Sequence, residues 1–359
     1  MNKKIIFTSG GTGGHIFPAI NLMKYFSKKG NKVLLVTDNR GKNFINNYST
    51  HRSKIINTAS PTNKNFFNKI ISYIKILFAI LKSAIIIVKE KPNLIFGCGG
   101  YVSFPISYVS KFFKVPLVIY ENNMIFGRAN EKLSPIAKKI FLGFQVPKNL
   151  SEKYKDKTLY TGSILSEDII NYSIENKNNK SKNLSILVLG GSQGAEVFGK
   201  IVPPTIKMIK EKGYEVEITQ QCISSQKNSI EEFYDKNAIK HNIFTFSKNI
   251  LNLMSSCDFA ISRCGAGTTA ELVKILIPFI AVPLPQSIDN HQYLNAKYYK
   301  DKGFCWLMEQ DNFNTINLLN LIINILENKK KILDMKLSMK KNGNKDTYTE
   351  IARVIEGLI

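Results

Sequence analysis

Apolar and polar positions fall in blocks along this chain, and the blocks switch between two periods. Lys4 to Thr8 is a short unbroken apolar run, as a strand buried on both faces requires. Phe17 to Lys28 carries helical spacing, and Asn31 to Thr37 is a second apolar run ending at Asp38. The opening is therefore β-α-β. Further strands are predicted at 93–97, 115–120, 139–142 and 159–162 with helices between them, so the sheet is expected to be mostly parallel and doubly wound. A polar run, Glu175 to Asn183, reads as an exposed loop, and the pattern restarts after it with a strand at Leu184 to Leu189. Strands near 214–219, 241–246, 257–261, 278–282 and 303–307 follow, then helices over about 313–327 and 346–358. The fold class is α/β, in two domains of like architecture, 1–162 and 163–345. The final helix, 346–359, is expected to pack back on the first domain.

One block breaks the alternation. Phe66 to Val88 is the most apolar stretch, and Lys75 and Lys82 within it and Lys89 just after it recur every seven residues. On a helix they form a narrow stripe. A spanning segment is disfavoured, because each central lysine would cost about 2.5–3.5 kcal/mol on insertion scales. A helix buried on most sides is the default, and an interfacial helix pressed onto anionic lipid is the alternative. The flanking lysines, Lys64, Lys69, Lys89 and Lys91, suit the second.

In doubly wound sheets ligands bind beyond the carboxyl ends of the strands. Three polar or glycine clusters fall there in the first half: 9–15 (SGGTGGH), 99–103 and 121–123. Counting from Gly11, the position that a G-x-G-x-x-G fingerprint would fill with its last glycine is Ile16, and no Gly-Lys-Ser/Thr follows, so neither NAD nor a P-loop nucleotide is supported. His15, at the start of its helix, is placed to touch what binds. In the second half, Ser262 to Glu271 (SRCGAGTTAE) is a glycine turn between a strand and a helix expected from Thr268. Free N–H groups and the helix dipole converge at such a turn, which suits a diphosphate, and Glu271 on the first turn could accept from a ribose. The same Thr268 and Glu271 also read as a capping box.

Composition bounds the partners. The 359 residues hold 50 Lys plus Arg against 27 Asp plus Glu, a formal charge of +23, which favours a polyanion: an anionic membrane surface or phosphorylated substrates. No helix-turn-helix, RRM-like or zinc pattern accompanies the charge, so nucleic acid is not expected. Five scattered cysteines without a C-x-x-C pair argue for free thiols, and no metal site or cofactor is expected. Met1 to Phe7 is too short for a signal peptide.

GGTGGHIFPA, GGYVSFP, TGS, GGSQGA, SRCGAGTTAE and DNHQYLNA, in this order from about residue 8 to residue 297, resemble the signatures of the MurG family of peptidoglycan N-acetylglucosaminyltransferases, in glycosyltransferase family 28. The resemblance implies a GT-B fold, two Rossmann-like domains facing a cleft, at the cytoplasmic face of the plasma membrane. It implies inverting transfer of N-acetylglucosamine from its UDP donor to the C4 hydroxyl of a lipid-linked N-acetylmuramoyl-pentapeptide. By position, Glu271 would hold the ribose, and Ala266, Gly267, Thr268 and Thr269 the diphosphate. Gln292 and Asn295 would contact the sugar, and Ser192 and Ser247 would line the nucleotide site. Thr12, Gly13, Gly14 and Asn123 match residues that close over the donor, while His15, Tyr101 and Glu121 would lie nearer the acceptor. His15, then Glu121, are the candidate catalytic bases. Two positions depart from the family. Tyr120 stands where a His is usual, and Ser166 where an Arg faces the donor, with Arg263 a basic neighbour able to compensate. The residues alone leave open another GT-B glycolipid glycosyltransferase, a UDP-sugar epimerase, or a membrane-surface binding protein without turnover.

Overall fold

The computed structural model describes residues 3–48, 51–59, 66–173, 184–191, 194–247, 249–341 and 346–359. The expected loop at 175–183, and with it Lys64 and Ser192, lies outside them. The chain divides into two compact units, Met1–Leu165 with Lys345–Ile359, and Ser166–Asn344.

The first unit is built on β1 (Lys4–Thr8), β2 (Lys32–Thr37), β3 (Ser53–Ile55), β4 (Leu94–Gly97), β5 (Leu117–Glu121), β6 (Lys139–Leu142) and β7 (Thr158–Tyr160). They form one parallel sheet in the order β3-β2-β1-β4-β5-β6-β7. Ile6 on β1 lies opposite Leu34 and Ile95, so β1 is central and buried on both faces, as its unbroken apolar run requires. Phe7, Phe26, Phe96 and Phe141 stack through its core. The last helix, Thr347–Glu356, belongs to this unit: Thr347 Oγ1 donates to Thr161 O at 2.8 Å, and Tyr348 Oη lies within hydrogen-bond reach of Leu165 O at 2.5 Å.

The second unit repeats the plan with β8 (Leu184–Leu189), β9 (Val216–Gln221), β10 (Lys240–Phe244), β11 (Phe259–Ser262), β12 (Phe279–Ala281) and β13 (Cys305–Leu307). Its parallel order is β10-β9-β8-β11-β12-β13. In each sheet the order reverses once, between β1 and β4 and between β8 and β11, and that reversal is where a doubly wound sheet opens a crevice for ligand.

The long helix, Phe66–Glu90, overturns the default of burial. Its buried residues are Ser72, Ala79, Ser83, Ile86, Ile87 and Glu90, a single stripe whose middle is made of small side chains and which packs on the helix Ser103–Val109. Most of the remaining surface faces outward: Phe67 is 78% exposed, Phe78 66% and Leu77 58%. The segment Phe67–Glu90 is long and apolar enough to cross a membrane by length and composition, yet only 28% of its most apolar stretch is buried within the protein. An apolar patch of this size on a folded surface marks an interaction face.

Candidate functional site

In the first unit the three predicted clusters sit at the carboxyl ends of adjacent strands, β1, β4 and β5. The first helix begins at Gly13, not Phe17, because Thr12 takes an extended conformation (φ −101°, ψ 145°) and its carbonyl accepts from His15 N and Ile16 N. Gly13, Gly14 and His15 are thus its first turn, with no side chain capping it. Gly10 N donates to Gly99 O at 3.0 Å, closing the two glycine turns on each other. Gly99 and Gly100 have φ of +90° and +80°. A Cβ on Gly99 would stand 2.9 Å from His15 Nδ1, and one on Gly100 would stand 2.9 Å from Gly10 Cα. These glycines therefore seat the His15 ring. Gly99→Ala is expected to cost about 1–2 kcal/mol from the positive φ alone and to push His15 from its seat; a melting curve beside a turnover measurement checks both. Tyr101 follows on the same turn, half-buried.

The third cluster is held by Glu121. Its carboxylate is buried, Oε1 accepting from Asn123 N (3.0 Å) and Asn123 Nδ2 (3.3 Å), Oε2 from Gly127 N (2.9 Å) and Asn130 Nδ2 (2.9 Å). Four donors aimed at one carboxylate shape its loop and commit its oxygens to the protein's own backbone and amides. Asn122 then ties this loop to the first: its Nδ2 donates to Gly14 O at 3.0 Å, and its Oδ1 accepts from Tyr120 Oη at 2.7 Å. Tyr120 is fully buried, its hydroxyl also accepting from Ile164 N at 3.3 Å, so the position where the family carries His is here an interior one. Neither Asn130 nor the role of Asn122 was legible from a motif. Polar side chains that only brace a loop leave no periodic or spacing signal.

In the second unit the helix Ala266–Lys274 starts two residues earlier than expected. Gly265, extended at φ −64° and ψ 140°, precedes it, and no side chain caps it. The capping box is therefore excluded, and Glu271 lies on the second turn. The N–H groups of Ala266, Gly267 and Thr268 have no partner within the helix and point beyond its start, an anion site by geometry. Thr268 is half-buried, whereas Thr269 is buried with its hydroxyl bonded back to Gly265 O at 3.0 Å, so Thr269 serves the helix itself.

Around this turn, several polar side chains brace the backbone. Gln292 Oε1 accepts from Cys264 N (3.1 Å) and Leu284 N (3.0 Å); Asn295, fully buried, donates from Nδ2 to Cys264 O at 3.1 Å. Arg263 is buried and committed: Nη1 donates to Val282 O and Pro283 O (both 3.1 Å), Nη2 to Gln310 Oε1 (2.6 Å), and its guanidinium lies over the Phe198 ring. It is not free to stand in for the missing donor-facing arginine. Ser166 is the extended residue before the short helix Glu167–Ile170, and Ser247 Oγ accepts from Asn249 N at 3.1 Å.

Glu271 differs from its neighbours. It is half-buried, and among the described residues no cation or hydrogen-bond donor stands against its carboxylate. Burial pushes that carboxyl up to about 7. A free, desolvated carboxylate one turn beyond an uncapped helix start is suited to accept from a diol whose diphosphate sits on the first turn.

The model of the glycosyltransferase family 28 N-terminal domain matches residues 5–142, and that of the family 28 C-terminal domain matches residues 185–351. A Pelagibacter ubique protein named UDP-N-acetylglucosamine--N-acetylmuramyl-(pentapeptide) pyrophosphoryl-undecaprenol N-acetylglucosamine transferase is 34% identical, covering 98% of this chain and 97% of its own. The chain belongs to glycosyltransferase family 28. A Rickettsia bellii relative of the same name is 33% identical over 99% of this chain and 100% of its own. The crystal structure of Acinetobacter baumannii MurG, 22% identical, matches 99% of this chain and 100% of that one with a TM-score of 0.80, which gives this family member the GT-B fold.

Proposed function

We propose that this family 28 enzyme transfers N-acetylglucosamine from UDP-N-acetylglucosamine to the C4 hydroxyl of a polyprenyl-diphosphate-linked N-acetylmuramoyl-pentapeptide, the step that takes lipid I to lipid II in peptidoglycan synthesis. The observation that carries it is the pairing of an uncapped helix start at Ala266 with the unpartnered Glu271 carboxylate, in a chain whose relatives bear that name over their full length.

The reaction is an inverting single displacement. The acceptor oxygen bonds to C1 of the sugar, the bond from C1 to the UDP oxygen breaks, and the configuration changes from α to β. Unit 2 binds the donor: Ala266, Gly267 and Thr268 receive the diphosphate, Glu271 the ribose, and Ser192 and Ser247 line the nucleotide. Charge grows on the departing diphosphate, where the helix dipole and N–H groups stabilise it without reorganising. Gln292 reaches the sugar with its remaining amide N–H. Asn295, buried behind the turn, acts by fixing Cys264. On unit 1, the turn carrying Thr12, Gly13 and Gly14 and the β5 loop carrying Asn123, tied together by Asn122, order the substrates, and the His15 imidazole takes the hydroxyl proton. Glu121 shapes the acceptor loop and is not the base.

The exposed apolar face of Phe66–Glu90 supports docking on a membrane surface, and our reading puts that surface at the cytoplasmic leaflet, where the lipid-linked acceptor would be presented. Incubation with UDP-N-acetylglucosamine alone separates this reading from a UDP-sugar epimerase: the sugar nucleotide is expected back unchanged, with UDP released only when acceptor is added. Accumulation of an epimerised sugar nucleotide without acceptor would remove the proposal.

The Glu271 carboxyl gives a pH signature. Its ordinary value is near 4.5 and its folded value about 7, so ionisation opposes folding. That penalty is absent below about 4.5, grows as pH rises, and is complete above about 7. Glu271→Gln is thus expected to melt higher than the parent at pH 8, by about 1–3 kcal/mol of stability, and equally at pH 4. Ribose hydroxyls favour the ionised form, so donor binding releases a proton and weakens as pH falls through 7. Calorimetry in buffers of differing ionisation enthalpy measures that proton.

A further inference from the structure

The carbonyl of Gly14, on the first turn of the His15 helix, meets Asn122 at 3.0 Å, and because a carbonyl can only accept, the atom facing it is the amide nitrogen. That orients the rest of the amide. Its Oδ1 accepts at 2.7 Å from the Tyr120 hydroxyl, which commits its one proton there and leaves its oxygen to accept from Ile164 N at 3.3 Å. Gly162 O, at 3.4 Å, is the more distant acceptor. A chain of hydrogen bonds of one polarity thus runs from Ile164 through Tyr120 and Asn122 to Gly14. Both side chains in it are buried, and a Cβ on Gly143 would stand 3.0 Å from the Tyr120 oxygen and 3.3 Å from Asn122 Oδ1, so packed backbone confines the link. The far end is anchored. Residues 161–165 are the last of the first unit before the chain leaves it, and the helix Thr347–Glu356 is fastened to the same residues at Thr161 O and Leu165 O.

We propose that Tyr120 is a positioning residue for His15: its hydroxyl fixes the first turn of that helix, through Asn122 and Gly14, against the anchored segment at 161–165. The inference rests on the reading of His15 as the base. Being fully buried, Tyr120 acts only through its neighbours. Its loss shows in kcat and not in donor affinity, because the residues proposed to hold the diphosphate and the ribose belong to the other unit.

The test measures kcat and donor KM on the full chain with a soluble acceptor analogue. Tyr120→Phe removes one oxygen and is expected to lower kcat about ten- to a hundredfold, the scale of a small misplacement of a catalytic group, with donor KM within about twofold of the parent. Asn122→Ala cuts the next link and gives a like loss. The two together should be no slower than Asn122→Ala alone, because residues acting in one series are not additive. In a His15→Ala background, adding Tyr120→Phe is expected to change turnover by less than about twofold, since no base is left to position. Tyr234→Phe is the control for a merely structural hydroxyl: Tyr234 is equally buried in the other unit, donates to Gln220 Oε1 at 2.7 Å, and should lose stability while keeping its kcat. Parent-like kcat in Tyr120→Phe, or an equal fold loss with and without His15, would overturn the proposal. Melting curves verify the fold, and Asn122→Ala with and without His15 makes the same comparison should Tyr120→Phe unfold. A wrong base shows separately, as near-parental turnover in His15→Ala alone, and would take the proposal with it; a wrong reaction shows as no transfer by the parent.

Discussion

His15→Ala is expected to lower turnover by roughly 10²–10⁴-fold, the range for loss of a positioned general base, with donor affinity nearly unchanged. The expectation rests on placement. His15 is on the first turn of its helix, its ring seated on the Gly99–Gly100 turn, at the carboxyl ends of β1 and β4 where the sheet order reverses. Glu121, the other candidate, has four donors on its carboxylate. Glu121→Gln therefore perturbs its loop, whereas His15→Ala removes the proton acceptor and flattens the acidic limb of the pH–rate profile. Turnover within a few-fold of the parent, with the limb intact, would take the base role away from His15.

Replacing Ile74, Leu77, Phe78 and Leu81 together by polar residues is expected to abolish most vesicle binding while leaving the melting temperature nearly unchanged. All four are exposed in the folded protein, so the native core loses nothing. Each apolar side chain fully buried is worth about 1.5–3 kcal/mol; even at half that depth, four of them account for roughly a hundredfold or more in partitioning. Co-sedimentation measures it. A fall in thermal stability with binding retained would mean the face is covered by protein instead. With a soluble acceptor the variant should turn over like the parent, because none of the four lies in the three loop clusters proposed to order the substrates.

Most strands were legible because they are short apolar runs with a polar or glycine punctuation at the carboxyl end, and the pattern repeats across both halves; the edge strand Ser53–Ile55 went unread because it is too short and too polar to give such a run. Lys4–Thr8, Lys139–Leu142 and Leu184–Leu189 stand where the run of residues puts them. Helix starts were not, since a glycine pair such as Gly13–Gly14 reads as loop in any local scale, yet an extended residue before it lets the helix begin there. The lysine-rich helix Lys329–Lys341 went unread, because its few apolar side chains give no wide stripe. The long helix misled in the other direction. Its composition asks for burial, and only the stripe of Ser72, Ala79 and Ser83 reveals that one face meets protein. At the candidate site, the uncapped helix start at Ala266 and Glu271 were legible as a strand, a glycine turn and an acid in series. The commitments of Arg263, Asn295, Glu121 and Tyr120 depend on partners far away in sequence, and no local pattern encodes them.

The most direct test of the central claim is transfer of radiolabelled N-acetylglucosamine from its UDP donor to a soluble analogue of the lipid-linked N-acetylmuramoyl acceptor, with EDTA present throughout. Label is expected in the acceptor in a β-1,4 linkage, with one UDP released per sugar transferred. Measurable binding of UDP-N-acetylglucosamine without label in the acceptor would contradict the account, leaving the donor site in place and the reaction to another acceptor or to none.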